Sequence, residues 1–185
     1  MRRSICIAAV ACLGLAATSP AHAATKVRHY SPWDSDGNPV LKRYSHGSAE
    51  CASASRYTPR ADAWRCVSGT LTLDPCFASP TDDEVFCIAT PFARSGYLLG
   101  AVIDQSNHGT SHARGPWALQ VGKRRCTYLL PRKRKRSPTY RCGKSRKGPF
   151  LYGRPSTKKK TWTIRQARNS KGRRLKRVKI RAAWQ

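Results

Sequence analysis

Acidic side chains are absent from the sequence after Asp104. Residues 121–185 contain 25 lysines and arginines, with no aspartate or glutamate among them. These charges cannot be neutralised within their own segment, so they predict a strongly cationic surface. Residues 24–120 hold nine basic and nine acidic side chains and are neutral. A uniformly alkaline protein would spread its charge, whereas this one concentrates it in the second half.

Further absences narrow the classes of function. No Cys-x-x-Cys pair is present, which argues against a zinc site. No apolar run approaches the roughly 20 residues that a membrane-spanning helix needs. Neither a nucleophile elbow nor a phosphate-cradling glycine loop occurs. We therefore expect no metal, no cofactor and no catalysis, while a hydrolase whose site assembles only in three dimensions remains an alternative.

The first 23 residues are typical of a secretory signal peptide. Two arginines precede an apolar run over residues 4–17, and Ala-His-Ala at 21–23 offers the small residues that signal peptidase reads. We expect cleavage before Ala24 and a secreted protein, either released or associated with the cell wall. Lipidation at Cys12 is the alternative, although it would leave an unusually short apolar region.

Six cysteines follow the signal peptide, and an even number in an exported chain indicates three disulfides. About fifteen pairings are possible for six cysteines, and we favour pairing between neighbours in sequence. The expected disulfides are Cys51–Cys66, Cys76–Cys87 and Cys126–Cys142. The third is the best supported, because its two cysteines flank one predicted hairpin.

The mature chain divides into two parts by composition. Residues 24–45 are dense in turn-forming residues and are expected to be irregular. Residues 46–185 are expected to form a single disulfide-rich β domain, with a neutral half at 46–120 and a strongly basic half at 121–185. No internal repeat is visible.

Hydrophobic patterning predicts strands. The apolar runs at 84–88 and 96–103 are too short for helices, whereas residues 61–66 suggest a helical turn. Residues 162–166 and 178–184 alternate with period two, which places the apolar set inward and the cations on an open face. We expect a mainly β fold: a small disulfide-stabilised antiparallel sheet, sandwich or open barrel with long loops.

The basic surface is the strongest functional signal. Such a surface attracts polyanions at long range and releases counterions when it binds them. The expected contact residues are Lys123, Arg124, Arg125, Arg132, Lys133, Arg134, Lys135, Arg136, Lys158, Lys159, Lys160, Lys179 and Arg181. Outside a cell, the available polyanions are phosphate-rich wall polymers, anionic lipid head groups and free nucleic acid. Specific base readout has no support, and a cationic surface without a dedicated partner is the alternative.

Other candidate residues carry weaker signals. His108 and His112 lie four apart, but the Gly-Thr-Ser between them does not favour a helix, so metal-binding geometry is not set. Asp34, Asp36 and Asn38 do not follow the spacing of a calcium loop. Four aromatic residues among the cations either stack on single-stranded bases or belong to the core. They are Tyr128, Tyr140, Tyr152 and Trp162.

A series of cysteine-centred motifs resembles an exported, disulfide-rich domain of bacteria with Gram-positive-type envelopes. The motifs are Asp62-Ala63-Trp64-Arg65-Cys66, Asp74-Pro75-Cys76-Phe77 and Val85-Phe86-Cys87. Members of that family stand alone behind a signal peptide or are similar to segments found beside receptor-like serine/threonine kinases. The resemblance covers residue 46 to the end. It implies one exported disulfide-rich domain, and no activity or ligand.

The leading hypothesis is therefore a monomeric, non-catalytic domain that binds anionic envelope polymer or another extracellular polyanion through its basic half. The first alternative is a small secreted hydrolase that acts on nucleic acid or wall polymer. The second is a structural or sensor component of the envelope that contacts a protein partner.

Overall fold

The fold is built from strands, as a computed structural model of residues 23–111, 113, 115–131, 137–143 and 148–185 shows. Thirteen strands and one short 3-10 helix, Gln105–Asn107, make up its regular structure. The expectation of a mainly β, disulfide-stabilised fold is confirmed. The described residues include no helix with the length and apolar character needed to cross a membrane.

The neutral half forms a closed barrel of five strands. They are β2 (Tyr44–Ala54), β3 (Ala63–Ser68), β4 (Leu71–Ala78), β5 (Glu84–Cys87) and β6 (Gly96–Ile103). Each strand pairs antiparallel with the next along the chain. Because the number of strands is odd, the first and last run in the same direction. Strands β2 and β6 therefore close the barrel as a parallel pair.

Alternation in β3 explains why a helical turn was the wrong prediction for residues 61–66. Residues 61 and 62 form a tight turn, and β3 begins at Ala63. Trp64 and Cys66 are buried in the barrel, whereas Arg65 between them is less buried and Val67 is exposed. This is the period of two that a strand requires.

The basic half forms a curled sheet of eight strands, which also takes in one strand from the N-terminal segment. The strands are β1 (Lys26–Arg28), β7 (Ala118–Val121), β8 (Arg124–Tyr128), β9 (Tyr140–Cys142), β10 (Phe150–Ser156), β11 (Thr163–Ala167), β12 (Lys176–Lys179) and β13 (Ala182–Trp184). Their order across the sheet is β1-β13-β7-β8-β9-β10-β11-β12. Residues 176–184 pair with β11 through β12 and with β7 through β13. This continuous stretch therefore brings the two sides of the sheet together around one core.

All three expected disulfides are present, and each joins residues that lie directly opposite one another on adjacent strands. The Cα–Cα distances are 4.1, 3.8 and 3.9 Å for Cys51–Cys66, Cys76–Cys87 and Cys126–Cys142. The first two lie inside the barrel, and the third lies in the core of the curled sheet. The sequence separations are 15, 11 and 16 residues. A disulfide that closes a loop of this length contributes about 3 kcal/mol in the chain-entropy model.

A shared core joins the barrel to the rest of the molecule. Ala63, Phe77, Phe86 and Leu98 form a row across the outside of the barrel. That row is buried beneath aromatic side chains from other segments, chief among them Trp117, which is 1% exposed. We call this cluster the joint core.

The N-terminal segment supplies the rest of the cover. Trp33 and Tyr30 pack in the joint core, and β1 pairs parallel with β13. Residues 24–45 are thus largely irregular but integral to the fold. The Asp34 carboxylate accepts hydrogen bonds from the backbone N–H groups of Asp36 and Asn38, at 3.0 and 2.8 Å, so it stabilises its own turn.

Candidate anion-binding groove

The curled sheet sorts apolar and basic side chains between its two faces. Ile164 and Ile180 are buried in the inner core. Arg165, Arg177 and Lys179 are exposed, and their pairing positions place them on the opposite, outer face. The expectation of apolar residues inward and cations outward holds for residues 163–165 and 177–180, whereas Lys176, which faces Gln166 at the groove end, lies in the inner-face phase.

The alternation changes phase after Ile180, which the sequence did not predict. Ala183, expected on the open face, is fully buried opposite Leu119 of β7. Trp184, expected inward, instead packs edge-on against Phe92, with ring centroids 4.7 Å apart. The change occurs where the chain leaves β11 and joins β7, because its register is then set by a different partner strand.

A groove of about 930 Å³ opens at one end of the curled sheet. Its lining residues are Arg124, Pro149, Gln166, Ala167, Arg168, Asn169, Arg173, Arg174 and Lys176. We call it the cationic groove, since five of these nine side chains are basic and none is acidic. All five cations are exposed, whereas Gln166 is 8% exposed. Guanidinium groups carry N–H donors in a planar fork that matches the oxygens of phosphate or carboxylate.

The turn that carries three of the groove arginines is fixed to the sheet. The Tyr152 hydroxyl donates to the backbone carbonyl of Asn169 at 3.1 Å. Gly172 has φ +66° and lies against the Tyr152 ring, where a Cβ would approach a ring carbon to 3.1 Å. Within the turn, the backbone N–H of Lys171 donates to Asn169 Oδ1 at 3.1 Å. The Asn-Ser-Lys-Gly sequence at 169–172 therefore forms a turn that is fixed on Tyr152 and carries arginines on both flanks.

Arg174 has a left-handed backbone conformation, with φ +54°. This region is unfavourable for side chains with a Cβ and is usually occupied by glycine or asparagine. Among the described residues, Arg174 is the one non-glycine residue with a positive φ. A strained residue on the wall of a charged groove is the kind of outlier that marks a functional position.

The predicted contact residues do not form one cluster. Lys123 and Arg124 lie at the groove end of the sheet, in the β7–β8 turn and at the start of β8. Strands β10 and β11 form a hairpin, and the groove lies at its open end, near Pro149 and Ala167. The exposed residues Lys158, Lys159 and Lys160 lie in the connection at the other end of this hairpin. Lys179 ends β12, and Arg181 lies between β12 and β13. Arg132, Lys133, Arg134, Lys135 and Arg136 lie outside the described residues.

Arg125 lies on the outer face and stacks on an aromatic ring. Its guanidinium is 5.1 Å from the centroid of Phe92, and that of Arg28 is 5.5 Å from the centroid of Trp184. Because Phe92 and Trp184 contact each other, the four side chains form one stack that fastens the barrel to the curled sheet. Cation–π pairs of this kind contribute about 0.5–1 kcal/mol at exposed sites.

The aromatic residues among the cations belong to cores. Tyr128 and Tyr140 are buried in the core of the curled sheet, and Trp162 packs against it half-buried. Tyr152 is buried with Phe150 beneath the 169–172 turn. Burial raises the pKa of the Tyr140 hydroxyl, which donates to the Pro116 carbonyl at 2.9 Å. Of these four rings, Tyr152 is the one that contacts the turn beside the groove.

Within the described residues, His108 makes no hydrogen bond to an acidic side chain. His108 lies edge-on to Trp64, with ring centroids 4.2 Å apart, and its buried Nε2 has no hydrogen-bond partner among the described residues. His112 lies outside the described residues. The hydroxyl of buried Ser55 donates to Asp74 at 2.6 Å. Burial raises the pKa of that carboxyl, which also accepts a hydrogen bond from the backbone N–H of Arg56 at 3.1 Å.

Four groove cations were not among the predicted contact residues: Arg168, Arg173, Arg174 and Lys176. The prediction favoured runs of adjacent cations, whereas the groove collects cations that are separated in sequence. The signal available was the Asn-Ser-Lys-Gly turn at 169–172, which returns the chain and brings both flanks together.

Comparison with known proteins gave no match: the chain matches no protein-family model, no curated protein and no solved structure.

Proposed function

We propose that this protein is an exported, non-catalytic domain that binds an anionic, phosphate-bearing polymer in the cationic groove. The observation that carries the proposal is the convergence of five basic side chains on one concavity whose lining has no acid. Such a site has no internal counter-charge, so binding a polyanion there releases bound counterions to solution. The three buried disulfides support an oxidising, extracellular setting.

The test uses the folded protein with its disulfides intact, and long-chain inorganic polyphosphate as the probe. Polyphosphate supplies the phosphate chemistry of a wall polymer without bases or lipid tails. We expect log K to fall linearly with log salt, at about 0.7 per phosphate contact on a flexible strand. The variant Arg168→Gln/Arg173→Gln/Arg174→Gln should therefore lower the magnitude of that slope by about 2.

A matched control removes three exposed cations from residues 24–120, the part of the chain without net charge. Lys42, Arg43 and Arg94 are exposed near the barrel, so the variant Lys42→Gln/Arg43→Gln/Arg94→Gln makes the same change in net charge. We expect it to leave the slope within experimental error of wild type. Equal losses in both triple variants would show that net charge alone drives binding, and the groove would have no special part in it.

Purified cell wall and anionic vesicles then distinguish the sources of phosphate. Retention on wall that a high-salt wash reverses, together with weak vesicle binding, is the expected result. Stronger binding to vesicles than to wall would identify lipid head groups, and not wall polymer, as the ligand.

A further inference from the structure

The outer face of the β11–β12 hairpin carries a second set of cations that the groove does not include. Arg165 of β11 lies directly opposite Arg177 of β12. Both are exposed, and their Cβ atoms are separated by about 5 Å, the distance typical of facing residues in antiparallel strands. Facing side chains of like charge destabilise a sheet. The fold itself gains nothing from this pair.

The sheet accommodates Arg165 at a specific place. Gly153 of β10 has no side chain, and a Cβ there would lie 3.2 Å from Nη2 of Arg165. The guanidinium therefore extends across β10 at a glycine, next to the irregularity in the β10–β11 register. Its side chain is exposed and lies across the neighbouring strand.

This pair lies between the two cationic ends of the hairpin. At one end, Lys176 lines the cationic groove and faces Gln166 in the inner-face phase, while Ala167, which also lines the groove, shares the outer-face phase of Arg165. At the other, Lys179 faces Thr163, and the exposed residues Lys158, Lys159 and Lys160 precede β11. The five residues of β11 span about 17 Å at 3.4 Å per residue. Residues two apart on one face of a strand, such as Arg177 and Lys179, are separated by about 7 Å, which is less than one Debye length, about 8 Å in physiological salt.

We infer that the β11–β12 hairpin is a linear track on which one extended polyanion chain continues out of the cationic groove, past Arg165 and Arg177, towards Lys158–Lys160. This inference rests on the proposed function and specifies its ligand: a flexible chain with regularly repeated phosphates, longer than the groove can hold. The groove supplies a concave anchoring site, and the outer face supplies a row of point contacts. The cost of the facing arginine pair is then offset when the chain lies between the two guanidinium groups.

The experiment compares a short and a long probe, tripolyphosphate and long-chain polyphosphate, on the intact protein. The long chain should bind wild type at least tenfold more tightly per chain. In the variant Arg165→Gln/Arg177→Gln, we expect most of this gain to be lost, while tripolyphosphate affinity in the groove stays within about twofold of wild type. The control variant Lys42→Gln/Arg43→Gln removes the same charge elsewhere and should keep the gain.

Three outcomes separate the claims. The affinity advantage of the long probe could be as large in Arg165→Gln/Arg177→Gln as in the control variant. That result overturns the track, while the groove and the proposed function stand. Self-association of Arg165→Gln/Arg177→Gln with the gain retained also overturns the track, since cations on an edge strand then serve to prevent strand pairing between molecules. If wild type binds neither probe, the proposed function itself fails, and the track fails with it.

Discussion

Arg174 places a cation on the wall of the groove and lowers the stability of the local backbone. Its left-handed backbone conformation costs roughly 1–2 kcal/mol for a residue with a Cβ. The position lies in the connection between β11 and β12, where glycine or asparagine would be accommodated without strain. An arginine here contributes a cation to the groove wall at the expense of the local backbone.

The variant Arg174→Gly should therefore have effects of opposite sign on stability and binding. Relief of strain exceeds the added flexibility of the unfolded chain, so we expect unfolding free energy to rise by about 0.5–1 kcal/mol. Loss of the guanidinium should weaken polyphosphate binding several-fold. Urea unfolding and a binding titration measure the two quantities.

Arg173→Gly provides the matched control for this prediction. It removes the same charge from the groove, but Arg173 has no positive φ. We expect weaker binding together with a small loss of stability, since glycine adds only unfolded-state freedom there. If Arg174→Gly destabilised the protein as Arg173→Gly does, the strain argument would be wrong.

At the scale of elements, β1 is held by one buried side chain as well as by its pairing with β13. The Thr25 hydroxyl donates to the Ile180 carbonyl at 2.6 Å and accepts from the Trp162 N–H at 2.8 Å. The Thr25 N–H donates to the Lys160 carbonyl at 2.9 Å. A residue two positions after the expected cleavage site thus connects the β10–β11 connection to the 176–184 stretch.

Replacing Thr25 by valine keeps its shape and removes both side-chain hydrogen bonds. A carbonyl and an N–H would then lose their partner in a buried site, so we expect a loss of about 2 kcal/mol in unfolding free energy. Thr25→Ser keeps the hydroxyl and should retain most of the stability. Chemical denaturation of both variants measures the difference, and a loss in Thr25→Ser as large as that in Thr25→Val would contradict the assignment to the hydroxyl hydrogen bonds, because serine keeps them.

The strands themselves were more predictable than the way in which they pair with one another. Period-two alternation identified the strands around Ile164 and Val178, and sequential pairing of cysteines gave the three disulfides. Alternation gives the face on which a residue lies but not the strand beside it. The facing pair of Arg165 and Arg177, and the groove assembled across β8, β11 and β12, depend on long-range register and could not be read from local pattern.

At the scale of the whole molecule, the neutral and basic halves are joined by hydrophobic burial. Trp117 immediately precedes β7 of the curled sheet, yet its indole packs in the joint core on the outside of the barrel. The predicted boundary near residue 120 therefore separates the charge distribution and does not separate two independent cores. We expect wild type to unfold in one cooperative transition.

Trp117→Ala should destabilise the protein by about 3–5 kcal/mol, the range for deletion of a buried tryptophan. Because the deleted ring joins the halves, calorimetry should then show two transitions where wild type shows one. Val102→Ala is the control, since Val102 is 74% exposed on the barrel surface and should change stability by less than about 0.5 kcal/mol. A single transition in Trp117→Ala would mean that other contacts suffice to couple the halves.

The position of residues 176–184 in the sheet affects the order in which the two parts of the protein fold. If the chain is exported as proposed, its N-terminal portion emerges first, and early domains fold before later ones arrive. The barrel needs nothing beyond Ile103 to close its ring of strands, so its two disulfides can form while later residues are still in transit. The curled sheet must wait, because the strands that join β11 to β7 arrive near the end. On that route the cationic groove, whose lining includes Lys176 of β12, is among the later features to form.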